Sequence, residues 1–199
     1  MKLRERNSPM ELKDYIRVYD NALDSNVCRN IVKKFKETPS LHERWEHEGK
    51  PQFTSFNITN HIETNSDDDF WAKIHSQLVD NIRQYSYTYM EETNCKDSWP
   101  PENALEQIRL KLYRKGTDDR FDTHVDVGNH DSARRFLVMF WYLNTVEVGG
   151  ETVFDNISYS VNPVEGRLLM FPPMWMYPHS GKMAVSDDKL ILGTYLHYR

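Results

Sequence analysis

The sequence predicts an α+β protein, mainly β, in which two helices precede a β-domain. Three observations carry this. Apolar residues keep helical spacing in two stretches of the first hundred residues. Beyond residue 104 the spacing changes to short runs rich in β-branched, aromatic and aliphatic side chains. Turn residues separate those runs at intervals that suit a sandwich or barrel. With 199 residues the chain is expected to form one domain, with 1–103 as helical and irregular support and 104–199 as the β core.

Taken in order, the polar residues 1–13 read as loose, and residues 15–19 as a short strand ended by Asp20-Asn21. Asp24 or Ser25 suits the N-cap of a helix whose Val27, Cys28, Ile31, Val32 and Phe35 share one face. Thr38-Pro39-Ser40 stops it. Residues 40–68 read as irregular, with a strand at 52–58. Acids at 67–69 match the dipole at the start of a long helix, which runs with Phe70, Trp71, Ile74, Leu78, Ile82, Tyr85 and Tyr89 on one face to about Met90. Strands are then expected over 105–113, 135–143, 152–154, 167–171 and 190–198. Gly116, Gly128-Asn129, Gly149-Gly150, Asn162-Pro163, Glu165-Gly166 and Pro172-Pro173 punctuate them.

Composition bounds the function. Charged residues make up 28% and the net charge is −5, so no global field favours nucleic acid. No run reaches the roughly 18 apolar residues of a membrane span, and the N-terminus lacks an apolar signal region. The two cysteines, Cys28 and Cys95, have no metal-site spacing. Cys28 reads as core and Cys95 as an exposed loop thiol. A soluble, reducing, cytoplasmic setting is the expectation.

The chemistry-bearing pattern is His124-Val125-Asp126 with a later His179. In extended backbone, residues i and i+2 point the same way, so His124 and Asp126 can face one interior. A histidine from a later strand completes two imidazoles and a carboxylate on one face of a metal. That set leaves positions open for a co-substrate and O2, and is diagnostic of Fe(II) oxygenases. A bare H-x-D is common by chance, and the surrounding text gives it weight. Residues 108–116 lead to Phe121-Asp122-Thr123-His124. Then follow Phe140-Trp141-Tyr142-Leu143-Asn144, Gly149-Gly150-Glu151-Thr152-Val153-Phe154, Pro163 to Phe171, Pro178-His179-Ser180-Gly181 and Lys189-Leu190-Ile191-Leu192.

This ordered series resembles the catalytic domain of the prolyl 4-hydroxylase-like Fe(II)/2-oxoglutarate-dependent dioxygenases, over about residues 105–198. The resemblance implies a double-stranded β-helix, or jelly roll, buttressed by the N-terminal helices. It implies His124, Asp126 and His179 as iron ligands, and Fe(II), 2-oxoglutarate and O2 as cofactor and co-substrates, with ascorbate as a reductant. Lys189, ten residues after His179, matches the basic residue that holds the distal carboxylate of 2-oxoglutarate. A carboxylate deep in an apolar barrel needs such a compensating charge. Tyr113 matches a tyrosine facing the co-substrate, and Thr152 a position that can hydrogen-bond the same carboxylate. Asp126 favours hydroxylation over halogenation, which needs a small residue there to admit halide.

The substrate is less legible. A prolyl residue in a peptide or protein leads, with a free amino acid or another small molecule as the rival. Loops 40–66 and 114–123 are candidates to cover the barrel mouth, the first carrying Trp45 and Phe53. Arg109 and Lys111 share the parity of Tyr113, so either could approach the pocket. His130 reads as surface, and His42, His47, His61 and His75 lack ligand spacing. A cupin-like metal barrel without 2-oxoglutarate, or a non-catalytic interaction protein on the same fold, are the readings from other classes. The first has no use for Lys189. The second would be expected to have lost the triad.

Overall fold

The computed structural model describes residues 9–46 and 51–199. Of the segment 1–13 expected to be loose, residues 1–8 lie outside the described residues, as does His47, while Leu12–Tyr15 forms a short 3-10 turn. The first helix, α1 (Ser25–Glu37), starts where the sequence places it. Asp24 is its N-cap, its carboxylate accepting from the backbone N–H groups of Asn26 and Val27. Cys28, Ile31 and Phe35 are buried along one face. The long helix α3 (Asp69–Thr93) is capped by Asp68 and ends on Asn94 in the left-handed conformation.

Residues 40–68 are more regular than the sequence suggested. They hold strands β2 (Glu43–Glu46) and β3 (Gln52–Asn57) and a short helix, α2 (Ile58–Thr64). Asn57 stops the strand and caps the helix, so Ile58 is helical. The expected strand over 105–113 is two, β4 (Asn103–Leu105) and β5 (Arg109–Tyr113). Between them the backbone is captured from outside the ladder: Glu106 accepts from the Thr194 hydroxyl, and Ile108 donates to the Thr59 hydroxyl.

The strands form two antiparallel sheets. The larger runs β1 (Arg17–Tyr19), β10 (Leu168–Phe171), β7 (Arg135–Tyr142), β12 (Lys189–Tyr198), β5, β3 and β2, with β4 also on β12. The smaller runs β6 (Phe121–His124), β11 (His179–Gly181), β8 (Thr152–Phe154) and β9 (Tyr159–Val161). Together they make the double-stranded β-helix. Strands β6, β9 and β11 are three to four residues long, too short for period 2 to show in the sequence.

Two apolar clusters divide the interior. One joins Trp71, Ile74 and Leu78 of α3 and Ile31 and Phe35 of α1 to Leu110, Trp141, Leu190 and Leu192 on the outer face of the large sheet. Each such side chain contributes about 1.5–3 kcal/mol by leaving water. Asn81 fixes the helix to the sheet, accepting from the Trp141 indole N–H and donating to the Ala22 carbonyl. The second cluster, with Val138, Phe140, Tyr142, Phe154 and Phe171, lies between the two sheets. Cys28 is core as expected. Cys95 is partly buried against the first cluster, with its Sγ 3.1 Å from the Thr93 hydroxyl, and is no exposed loop thiol.

Candidate active site

Register brings the two histidines together. His179 on β11 pairs directly with His124 on β6, and their ring centroids are 4.3 Å apart. Asp126 follows the end of β6. Its N–H and that of Val127 both donate to the Pro173 carbonyl, so the Pro172-Pro173 turn after β10 sets the depth of the carboxylate. The candidate ligand atoms of the three residues all lie within 4.8 Å of one another.

The donor set fits a metal ion. The His124 Nδ1 lies 2.9 Å from the Asp122 carbonyl and the His179 Nδ1 3.1 Å from the Tyr177 carbonyl. A carbonyl only accepts, so each Nδ1 carries the proton and each Nε2 offers a lone pair. Those Nε2 atoms sit 3.6 Å and 3.5 Å from the Asp126 carboxylate oxygens, beyond hydrogen-bond range. The Asp126 Oδ2 is buried and has no hydrogen-bond partner, a costly state that a bound cation relieves. Burial would raise the Asp126 carboxyl. The neighbouring imidazoles and the Tyr195 hydroxyl outweigh that and hold it at about 2. Burial lowers the His179 imidazole, which keeps it neutral and able to ligate.

The same cavity lies between the sheets and reaches Tyr113, Thr152 and Lys189. Lys189 opens β12 and is 2% exposed, so it is no solvated lysine. Its ammonium donates to the Gly150 carbonyl at 2.9 Å and sits 4.7 Å over the Tyr113 ring, the residue paired with it across β5. The glycine pair explains that carbonyl's position. Gly149 has φ +77°, and a Cβ there would meet the Met183 carbonyl at 2.3 Å. Burial lowers the Lys189 ammonium to about 8 against the pull of Glu151. The Thr152 hydroxyl is 2.7 Å from the Tyr142 hydroxyl, both buried.

The structure adds side chains that the motif does not contain. The Tyr195 hydroxyl donates to Asp126 Oδ1 at 2.8 Å, while the Arg135 guanidinium stacks 4.0 Å from its ring and donates to the Asp126 carbonyl. The only sequence signal for Tyr195 is its even spacing from Lys189 on one strand. Arg109 and Lys111 both line the cavity. Phe53 is buried and tilted against Tyr113 and Phe121, while Trp45 stacks on its outer side, 38% exposed. His130 is exposed, as expected.

Residues 108–197 match the 2OG-Fe(II) oxygenase superfamily. No curated protein matches the sequence significantly. Among solved structures, the chain is similar to a Pseudomonas putida prolyl-4-hydroxylase, with TM-score 0.69 and 17% identity over 93% of each chain. It is similar to the viral collagen prolyl hydroxylase of Paramecium bursaria Chlorella virus-1 in its 2OG complex, with TM-score 0.65 and 18% identity over 93% of this chain and 97% of that one. It is also similar to a Trichoplax adhaerens prolyl hydroxylase in complex with a hypoxia inducible factor peptide fragment, with TM-score 0.66 and 13% identity over 92% and 84%. No helix among the described residues is long and apolar enough to cross a membrane. Residues 108–197 thus form a 2OG-Fe(II) oxygenase superfamily domain, and the chain as a whole shares the fold of these prolyl hydroxylases.

Proposed function

We propose that His124, Asp126 and His179 hold Fe(II), that Lys189, Tyr113 and Thr152 receive the distal carboxylate of 2-oxoglutarate, and that the enzyme hydroxylates a prolyl residue in a peptide or protein. The observation that carries the site assignment is the orphaned Asp126 Oδ2 beside the His179 Nε2, with the His124 Nε2 facing the other oxygen of the same carboxylate, in one cavity with the buried Lys189. The prolyl substrate is supported by the prolyl hydroxylases among the similar structures, one of them solved with a peptide.

Bound there, iron would supply O2 activation coupled to oxidative decarboxylation of 2-oxoglutarate to succinate. The chain's own residues do the rest. Lys189 neutralises a carboxylate that the apolar walls would otherwise reject. Tyr195 and Arg135 hold Asp126 from behind, so that one oxygen stays free for the ion. Phe140, Phe154 and Phe171 keep water from the inner wall.

The test is succinate formation from 2-oxoglutarate by the Fe(II)-loaded chain, with products screened by mass spectrometry for a mass gain of about 16 Da, one added oxygen. Proline-rich peptides are compared with free amino acids. Succinate with a hydroxylated prolyl peptide supports the reading. Absence of any 2-oxoglutarate turnover would remove it.

A further inference from the structure

Two cations in the cavity are not used by this assignment. Lys111 and Arg109 lie on β5, on the same face as Tyr113 and opposite Ile191 and Gly193 of β12. Both line the cavity that holds the triad. The Lys111 ammonium lies 4.9 Å over the Phe53 ring and 5.9 Å from the Phe121 ring. Aromatic faces attract a cation but do not neutralise it. Among the described residues no carboxylate pairs with Lys111. The Arg109 guanidinium meets only the neutral Gln107 amide oxygen among them, and Asn57 donates to that oxygen too. Partial burial lowers the Lys111 ammonium to about 8, with Asp126 as the one acid pulling it back, so at neutral pH it is an unpaired charge on the cavity wall.

Such a charge becomes expensive once a substrate covers it, unless something pairs with it. Resting on the proposed assignment, the charges can be tallied. Fe(II) and the 2-oxoglutarate dianion cancel, and Lys189 cancels Asp126. Lys111 and Arg109 are left over, on the part of β5 that extends from Tyr113 away from the Lys189 end.

We infer that Lys111, backed by Arg109, binds a carboxylate of the substrate to be oxidised, so that the enzyme takes a carboxylate-bearing substrate. The carboxylate belongs either to an acidic side chain next to the target residue or to the α-carboxyl group of a free amino acid. Phe53 and Phe121 flank the ammonium and exclude water from the ion pair, which strengthens it. A neutral substrate would leave the two cations desolvated and uncompensated.

The experiment uses the chain loaded with Mn(II), which does not turn over, and saturated with 2-oxoglutarate. Calorimetric titration compares acid and amide partners: capped proline dipeptides with a glutamate or a glutamine neighbour, free L-glutamate with L-glutamine, and L-proline with L-prolinamide. At least one acid should bind about tenfold or more tightly than its amide, the worth of one charge-assisted hydrogen bond. Lys111→Met should erase that preference and Lys111→Arg should keep most of it. A preference in the dipeptides, or for L-glutamate over L-glutamine, assigns the carboxylate to a side chain, and one for L-proline over L-prolinamide assigns it to the α-carboxyl group. Acids and amides that behave alike in the parent, failure of both to bind included, overturn the inference without any variant. So does a loss of 2-oxoglutarate affinity in Lys111→Met as large as in Lys189→Met, since the carboxylate would then be the co-substrate's. If the parent fails to bind 2-oxoglutarate at all, the assignment beneath the inference fails instead.

Discussion

At the scale of single residues, the site divides into groups that ligate, groups that pair with charge and groups that orient. His124→Ala, Asp126→Ala and His179→Ala each remove one of the three proposed iron ligands, and each should nearly abolish succinate formation while leaving the unfolding temperature close to the parent's. Near-parental turnover in any one of them would contradict the assignment. Lys189→Ala should act on the co-substrate before the metal. Losing one partner of a buried charge pair costs about 3–5 kcal/mol, or roughly two to three orders of magnitude in 2-oxoglutarate affinity, with Mn(II) affinity nearly unchanged. Its titration gives a second check. Since the free ammonium is held at about 8 and binding a carboxylate stabilises the charged form, affinity should be flat below that pH. Above it, affinity should fall by about tenfold per unit, because binding must first restore the proton. Affinity that climbs above pH 8 would show that Lys189 is not the partner. Tyr195 is an orienting group. Tyr195→Phe keeps the ring against Arg135 but removes the hydroxyl that fixes Asp126 Oδ1. Mn(II) affinity measured by calorimetry should fall about tenfold, as when other outer partners of metal ligands are lost. Unchanged affinity would reduce Tyr195 to packing.

At the scale of elements, the loop between β5 and β6 is held by a buried acid. Asp119 is 1% exposed and receives the guanidinium groups of both Arg44 on β2 and Arg114 at the end of β5, together with the Arg114 backbone N–H. Burial would raise its carboxyl, but the two arginines hold it at about 2. A depressed carboxyl stabilises the fold fully above its unfolded value, near 3.8, and loses that contribution as pH falls through about 2. Asp119→Asn should therefore cost about 1–3 kcal/mol at pH 7 in urea unfolding. The gap from the parent should close between pH 4 and 2, and a pH-independent gap would refute the clasp. In the sequence this loop, within 114–123, read as a candidate cover for the barrel mouth. Arg44 and Asp119 are 75 positions apart, and only the pairing of β2 with β3 and β3 with β5 makes them neighbours. The same holds for Tyr195 and Asp126. What was legible was local or ordered along the chain: the Asp24 cap, the helical faces, the H-x-D pair, and Lys189 opening an apolar strand. Groups that act across strands carry no local signature. The three-residue strands β9 and β11 were missed because two alternations do not establish a period.

At the scale of the molecule, β12 links the two interiors. Lys189, Ile191, Gly193 and Tyr195 line the cavity, while Leu190, Leu192 and Leu196 sit in the cluster shared with the helices. A substitution on one face should therefore be felt differently from its neighbour. Leu192→Ala should cost about 2–5 kcal/mol of stability and leave 2-oxoglutarate affinity of the folded protein unchanged. Ile191→Ala, at a partly exposed position, should cost less stability and alter ligand binding. Equal stability losses with equal binding effects would show that the two faces are not independent. If they are, the strand has a consequence for descent as well as for energy. A lineage can exchange Ile191 or Gly193 and change what it oxidises while Leu190, Leu192 and Leu196 keep the helices docked, so new specificities are reachable by single steps that never pass through an unstable ancestor.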